Sequence, residues 1–347
     1  MSTLSNQNDQ VSSTPVLPLL EVRNLCKYFP VYSQGFMRKE VSKIKAVDQV
    51  SFDLMAGETL GLVGESGSGK TTCARTILRA LQPTSGEVIL NLPEGRRYDL
   101  SQMSNKLLKP LRQEMQMIFQ DPYASLNPRM TVGDIVAEPM KIHGLASGSD
   151  LDGRVERILL KVGLKSEHRH RYPHAFSGGQ RQRIGIARAL IMNPALVVAD
   201  EAVSALDVSV QAQVINLLGD LQEELGLTYI FVAHDLSVVR HLCDKVAVMY
   251  AGRIVEIAST EALFEDPKHP YTRALLNAVP HPDPDVPMEF ELGGEVADAG
   301  NLPSGCSFHP RCKECFQPCD QRTPELQTMP DGSGVACYLH GESDEKQ

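Results

Sequence analysis

The chain has 347 residues, enough for one large folded unit with an appendage or for two smaller ones. Its 42% hydrophobic and 22% charged residues exclude a disordered or fibrous chain. The excess of 43 acidic over 34 basic residues, a net charge of −9, argues against a general nucleic-acid binder, which needs a basic footprint for phosphates. No apolar run approaches the roughly 20 residues of a membrane helix; the stretch from Ile184 to Ala199 is broken by Arg188, Asn193 and Pro194.

In chain order, residues 1–18 are rich in Ser, Thr, Asn and Gln and have neither a basic start nor an apolar stretch. They read as a disordered lead-in and not as a secretory signal. Alternating apolar residues predict strands over Leu20 to Phe29 and Ile44 to Leu54. The basic segment that separates them, with Arg38, Lys39, Lys43 and Lys45, reads as a solvated loop. Thr59 to Val63 is a short apolar strand that runs into a Gly-rich turn, and Lys70 to Leu81 reads as a helix.

Met115 to Phe119, Leu196 to Ala199, Tyr229 to Val232 and Val246 to Met249 have the length of buried strands, with helical patterns between several of them. That alternation predicts an α/β fold with a mainly parallel sheet covered by helices. Thr131 to Val162 has helical periodicity and reads as a helical insert. After about Thr260 the text becomes Pro-rich (Pro267, Pro270, Pro280, Pro282, Pro284, Pro287) and reads as a linker to a cluster of cysteines.

Gly64-Glu65-Ser66-Gly67-Ser68-Gly69-Lys70-Thr71 fits a phosphate-binding loop between a strand and a helix, and Thr72 follows in the same cradle. Glycines let backbone N–H groups converge on phosphate oxygens, and the helix start adds its positive dipole end. Lys70 should reach the β- and γ-phosphates, and Thr71 should hold Mg²⁺ through its hydroxyl. The strand Leu196 to Ala199 ends in Asp200 and Glu201. Asp200 is placed to bind Mg²⁺, directly or through water, and Glu201 to polarise the attacking water.

Between these motifs lies Ser177-Gly178-Gly179-Gln180, and with the phosphate loop it resembles the signature of ABC ATPases. The resemblance implies an α/β P-loop NTPase with an antiparallel β subdomain, a helical subdomain at about 121–190 within an ATPase domain at 19–260, and a small Cys-rich extension at 261–347. It implies that Ser177, Gly178 and Gly179, with Gln180 beside them, bind the γ-phosphate of ATP held by a partner subunit. Gln120 then resembles the glutamine that contacts Mg²⁺ and the attacking water. Ser204-Ala205-Leu206-Asp207 resembles the loop that crosses the dimer interface. His234 resembles the histidine that holds the γ-phosphate, and Phe29, or next to it Tyr28, the aromatic that stacks on adenine.

Phe119 to Pro128, Arg171-Tyr172-Pro173-His174 and His269-Pro270-Tyr271-Thr272 are similar to the dipeptide and oligopeptide importer ATPases. One departure is Ala202, where that family has Pro; it removes no functional group. The resemblance implies MgATP hydrolysis coupled to peptide uptake, at the cytoplasmic face of the inner (plasma) membrane. The implied partners are a paralogous ATPase subunit, two transmembrane permease subunits and a periplasmic or extracellular substrate-binding protein.

Of eight cysteines, five (Cys306, Cys312, Cys315, Cys319, Cys337) fall in the last 42 residues, a clustering that points to a local metal site more than to a disulfide framework. A short Pro- and Gly-rich region gains from a metal what it lacks in core. Four thiolates suit Zn²⁺ or a 4Fe–4S cluster, and the spacing matches neither common zinc ribbons nor ferredoxins. Similarity to the tails of peptide-importer ATPases implies a 4Fe–4S cluster on Cys306, Cys312, Cys319 and Cys337, with Zn²⁺ the alternative and Cys315 spare.

Overall fold

A computed structural model describes residues 17–33, 39–278, 293 and 297–340. Strands β1 (Leu20–Tyr32) and β2 (Glu40–Leu54) form a long antiparallel pair, from Leu20 opposite Leu54 to Tyr32 opposite Glu40. Most of the basic segment expected as a loop is therefore strand. Glu40 to Lys45 is exposed residue after residue, so it shows no alternation, and pairing with β1 supplies the regularity instead. Arg38 lies outside the described residues.

Strand β3 (Thr59–Val63) leads into α1 (Lys70–Ile77), which ends one turn before the expected Leu81. Two strands not foreseen, β4 (Ser85–Leu92) and β5 (Arg96–Asp99), complete a four-stranded antiparallel sheet in the order β2-β1-β4-β5. Helix α2 (Asn105–Leu111) precedes β6 (Met115–Ile118). The helical insert is present as α3 (Val132–His143) and α4 (Gly148–Lys161), followed by α5 (Gly178–Leu190). Helix α3 begins at Thr131, whose hydroxyl accepts from the Asp134 N–H, and stops at Gly144 in the left-handed conformation.

The rest alternates: β7 (Leu196–Asp200), α6 (Val208–Leu225), β8 (Thr228–Val232), α7 (Leu236–Leu242), β9 (Lys245–Tyr250) and β10 (Arg253–Ser259). Strands β9-β3-β8-β7-β6 are parallel neighbours in the second sheet. Every residue of β3, β7 and β8 is buried, which is why these strands read as unbroken apolar runs. One apolar core lies between this sheet and the antiparallel one around α1; a second lies under α3 to α6. No helix among the described residues is long and apolar enough to cross a membrane.

The segment after Thr260 is not the plain linker expected. It forms α8 (Thr260–Glu265) and α9 (Pro270–Asn277), with Pro270 at the first position of α9, where its missing N–H costs nothing. The fully buried Glu256 carboxylate of β10 accepts from the backbone N–H groups of Lys268 and His269, both at 2.8 Å, and so pins the start of α9. Pro280, Pro282, Pro284 and Pro287 lie outside the described residues. The cysteine-rich segment then extends the main sheet: β11 (Gln327–Thr328) pairs with β12 (Gly334–Val335), and β12 pairs with β10. Phe308 from this segment packs edge-on to Tyr250 at 5.3 Å and against Tyr271 at 5.4 Å, so the extension shares the main core.

Candidate nucleotide site

A parallel sheet aims the carboxyl ends of its strands at one edge. Here that edge gathers the sequence-predicted groups: the Gly64 loop after β3, Gln120 after β6, Asp200 and Glu201 at the end of β7, and His234 after β8. The register fixes the alignment, with Ile118 opposite Ala199, Asp200 opposite Val232 and Leu62 opposite Val232.

The loop is shaped by close approach. A Cβ on Gly64 (φ +145°) would meet the Met249 carbonyl at 2.2 Å, and one on Gly69 (φ +103°) the Ala46 carbonyl at 2.1 Å. Only glycine lets the loop lie against β9 and β2 while its amides turn inward. Gly69 opens α1, and Thr71 and Thr72 sit in the first turn. Lys70 is buried and folds over the loop, donating to the carbonyls of Gly64 (2.7 Å) and Glu65 (2.8 Å) and to Ser68 Oγ (3.3 Å). Burial pulls its ammonium pKa down, against the pull of Glu201, Asp200 and Glu65. Ser66 and Gly67 form the exposed tip of the loop.

Thr71 Oγ1 donates to Asp200 Oδ1 at 2.8 Å, and Arg75 approaches Asp200 Oδ2 at 3.4 Å. A hydroxyl and a buried carboxylate side by side at a phosphate cradle are the oxygen donors that Mg²⁺ takes. Glu201 has a left-handed backbone (φ +47°), and its N–H donates to the Val232 carbonyl at 3.0 Å. Its Oε2 accepts from Gln120 Nε2 at 2.6 Å and lies 3.7 Å from His234 Nδ1. Two residues from neighbouring strand ends thus flank one carboxylate oxygen of Glu201.

The Ser177–Gln180 turn is placed elsewhere. Ser177 Oγ accepts from the Gln180 N–H, while Gln180 Oε1 accepts from the Ser177 N–H, a reciprocal cap on α5. Gly178 and Gly179 lie against Leu206 and Val210. No hydrogen bond or ion pair among the described residues joins this turn to the phosphate loop. Asp207, exposed, heads α6 without a side-chain cap bond, and Val208 beside it is 82% exposed. Phe29 sits on β1 opposite Ile44, close to where β2 backs the loop, with Lys27 Nζ 4.9 Å over its ring. Tyr28 is engaged elsewhere, its hydroxyl on Asp48 and on Cys26 Sγ.

Three residues reach the site that the motifs did not assign. Arg75 touches Asp200, as above. The fully buried Tyr271 of α9 accepts the Glu65 N–H on its hydroxyl at 2.9 Å, and Arg311 forms a two-point pair with the Glu65 carboxylate at 2.8 and 3.1 Å. Local periodicity holds no signal for partners more than 200 positions apart.

Cys306, Cys312, Cys319 and Cys337 line one cleft and Cys315 does not. Burial pushes the Cys306 and Cys337 thiols up to about 11. Four thiols are soft donors of the type that a thiolate-bound metal takes. Even so, no group of three or more Cys, His, Asp or Glu among the described residues stands as a ligand set. The iron–sulfur and zinc expectations therefore rest on the resemblance and on the shared cleft, not on a formed site.

Comparison with known proteins bears on the whole chain. The family described as "ABC transporter" matches residues 47–204, and "Oligopeptide/dipeptide transporter, C-terminal region" matches residues 255–319. The chain is 49% identical over 326 residues to "Oligopeptide transport ATP-binding protein AppF" of Bacillus subtilis (strain 168), covering 93% of this chain and 97% of that protein. It is 50% identical over 322 residues to "Probable peptide ABC transporter ATP-binding protein y4tS" of Sinorhizobium fredii, covering 92% and 90%. Among solved structures it is similar to the dimeric post-hydrolysis state of the ATP-binding cassette MJ0796 bound to ADP and Pi, with a TM-score of 0.59, 28% identity, and coverage of 70% of this chain and 98% of that one. With the phosphate loop, the strand-end carboxylates and the C-terminal extension in one fold, the chain belongs to the ATP-binding subunits of the dipeptide/oligopeptide ABC transporters and is an ATPase of that class.

Proposed function

We propose that this subunit binds MgATP at the strand-end site, closes on a second ATPase subunit with two nucleotides between them, and couples that closure to peptide uptake. The observation that bears most weight is the separation of two anion sites on one chain: the Gly64–Thr71 cradle, and the Ser177 helix start, which has no bond to it. A serine-headed helix start serves an anion supplied from outside, here the γ-phosphate held by the opposite subunit. Exposed Val208 and Asp207 beside it suit a buried seam.

In this reading the amides of Ser66 to Gly69 with Lys70, Thr71 and Thr72 hold the phosphates, the Glu65 N–H being taken by Tyr271, Thr71, Asp200 and Gln120 hold Mg²⁺, and Phe29 stacks on adenine. When bound, Mg²⁺ would neutralise charge that develops on the phosphate oxygens. Glu201 orients and deprotonates the attacking water, Gln120 fixes the carboxylate, and His234 donates to the γ-phosphate. Phosphoryl transfer needs positioning and charge stabilisation above all, which these groups supply.

The partners in this proposal are a paralogous ATPase, two permease subunits and a substrate-binding protein, with this chain peripheral on the cytoplasmic face. The surface from Gln120 to Arg129 takes the contact with the permease. Phe119 (42% exposed) and Tyr123 (63% exposed) stand there, each under an arginine, Arg188 and Arg181. The chain divides at about 260 into ATPase domain and extension, with the helical subdomain at about 121–190. The cysteine cleft holds a thiolate-bound centre, 4Fe–4S in preference to Zn²⁺. Iron, sulfide and zinc analysis of anaerobically purified protein tests that part, and a protein free of all three overturns it.

The main test is reconstitution with the co-purifying membrane subunits in liposomes. The expected result is peptide-stimulated ATP hydrolysis and ATP-dependent peptide uptake, both lost in Ser177→Arg. Uptake that survives Ser177→Arg in this subunit combined with the matching substitution in the signature turn of its partner ATPase refutes the shared-nucleotide reading.

A further inference from the structure

We propose that Arg311, delivered by the cysteine-rich extension, is a positioning residue of the nucleotide site, holding the phosphate loop through Glu65. The proposal rests on the reading of the Gly64–Thr71 loop as the ATP cradle and deepens it.

An anion cradle with a carboxylate at its second residue has an electrostatic problem. Glu65 is 20% exposed, too sheltered for water to screen it well. Unpaired, it would repel the phosphates it sits beside or swing outward and take the loop backbone with it. Arg311 answers this with Nη1 at 2.8 Å from Oε2 and Nη2 at 3.1 Å from Oε1. A two-point guanidinium–carboxylate pair fixes the plane of both groups as well as neutralising the charge.

The arginine itself is held rigidly. Its side chain is 4% exposed; Nε donates to the Gly293 carbonyl at 3.1 Å and Nη1 to the Tyr250 hydroxyl at 3.4 Å. The rings of Tyr250 and Phe308 lie 5.8 and 5.9 Å from the guanidinium carbon. On the backbone side, the Glu65 N–H donates to the Tyr271 hydroxyl at 2.9 Å. That bond takes one loop amide into the protein and fixes which way the following ones face. Both supports come from beyond residue 260, Tyr271 on α9 and Arg311 on the short 3₁₀ turn His309–Arg311. The extension is thus built into the floor of the ATP site, and the turn that carries Arg311 lies between Cys306 and Cys312.

The test uses the purified full-length chain and titrates a fluorescent ATP analogue with Mg²⁺. Arg311→Met keeps an unbranched apolar stem of the buried side chain but removes the guanidinium, and with it the charge and the two-point pair. The expected result is nucleotide binding about tenfold weaker, about 1.4 kcal/mol. In the assembled transporter KM for ATP rises by a similar factor while kcat changes less than threefold, because Gln120, Glu201 and His234 are untouched. Glu65→Gln placed in the Arg311→Met background recovers at least half of the lost binding free energy, a rescue that a general loosening of the fold would not give. Binding by Arg311→Met within twofold of the parent, or a double variant weaker than Arg311→Met, overturns the proposal. If Arg311→Met does not fold, Tyr271→Phe decides. Faster amide exchange over residues 64–68 with about threefold weaker binding supports the clamp, and parent-like values of both overturn it. A parent chain that binds no nucleotide would sink the ATP-cradle reading instead.

Discussion

Glu201→Gln tests the proposed role of Glu201 as the base that takes a proton from the attacking water. In the structure, Glu201 Oε2 takes the Gln120 amide at 2.6 Å and stands 3.7 Å from His234 Nδ1. Glutamine has the same length and volume, and it tolerates the φ of +47° as well as glutamate does. The backbone bond from residue 201 to the Val232 carbonyl at 3.0 Å is unaffected. Stability should therefore change by no more than about 0.5 kcal/mol. Loss of a general base costs about 10²- to 10⁴-fold in rate, which is about 2.7 to 5.5 kcal/mol on the barrier. The expected result is unchanged MgATP affinity, phosphate release at least 100-fold slower, and a closed dimer that persists with ATP bound. Single-turnover phosphate release on the reconstituted complex, beside nucleotide titration, measures both. A rate within tenfold of the parent would refute the reasoning, because the carboxylate would then be no base.

Three further outcomes follow from the same geometry. Gly69→Ala places a methyl at 2.1 Å from the Ala46 carbonyl at φ +103°, so the loop must move and nucleotide affinity should fall at least tenfold in a folded protein; unchanged affinity with normal circular dichroism would count against the close-approach argument. Phe308→Ala empties a buried site between Tyr250, Tyr271 and His269 and should cost about 3–5 kcal/mol in urea unfolding; a loss under about 1 kcal/mol would mean the extension is fastened elsewhere. Burial alone would raise the Asp48 carboxyl, but the Tyr28 hydroxyl on Oδ1 and Arg253, whose Nη2 and Nε lie 2.7 and 2.9 Å from Oδ2, overcome it and hold its pKa below the usual carboxylate range. Because the folded value lies under the unfolded one, this stabilisation is complete above about pH 4 and fades as pH falls further. Asp48→Asn should cost about 2–3 kcal/mol at pH 7, with the gap to the parent narrowing below about pH 4; a constant gap across that range would refute the assignment.

What could be read without coordinates was whatever is local. The buried strands β3, β7 and β8 are short apolar runs because both their faces are covered. The phosphate loop is legible because its chemistry needs glycines at fixed offsets, and the carboxylates are legible because they end such a strand. Strand β2 before Ile44, and β4 and β5, went unread or misread. Their regularity comes from antiparallel partners and not from an alternation within the segment. The helices after Thr260 were hidden by prolines that in fact start α9, and by a buried Glu256 whose role exists only when β10 lies beneath that helix.

The amino-acid order by itself determined the site's chemistry: a glycine loop, a lysine, two carboxylates and a serine-headed helix, each within a window of a few residues. Only the tertiary structure decided which of them meet. Gln120, Glu201 and His234 come together because β6, β7 and β8 are parallel neighbours in register, whereas the Ser177 turn heads α5, which follows the helical insert and not a strand of that sheet. The contacts of Glu65 with Tyr271 and Arg311 span 206 and 246 positions. A pair so distant leaves no periodic trace in the chain, since neither residue's neighbours constrain the other until the extension has folded back onto the sheet.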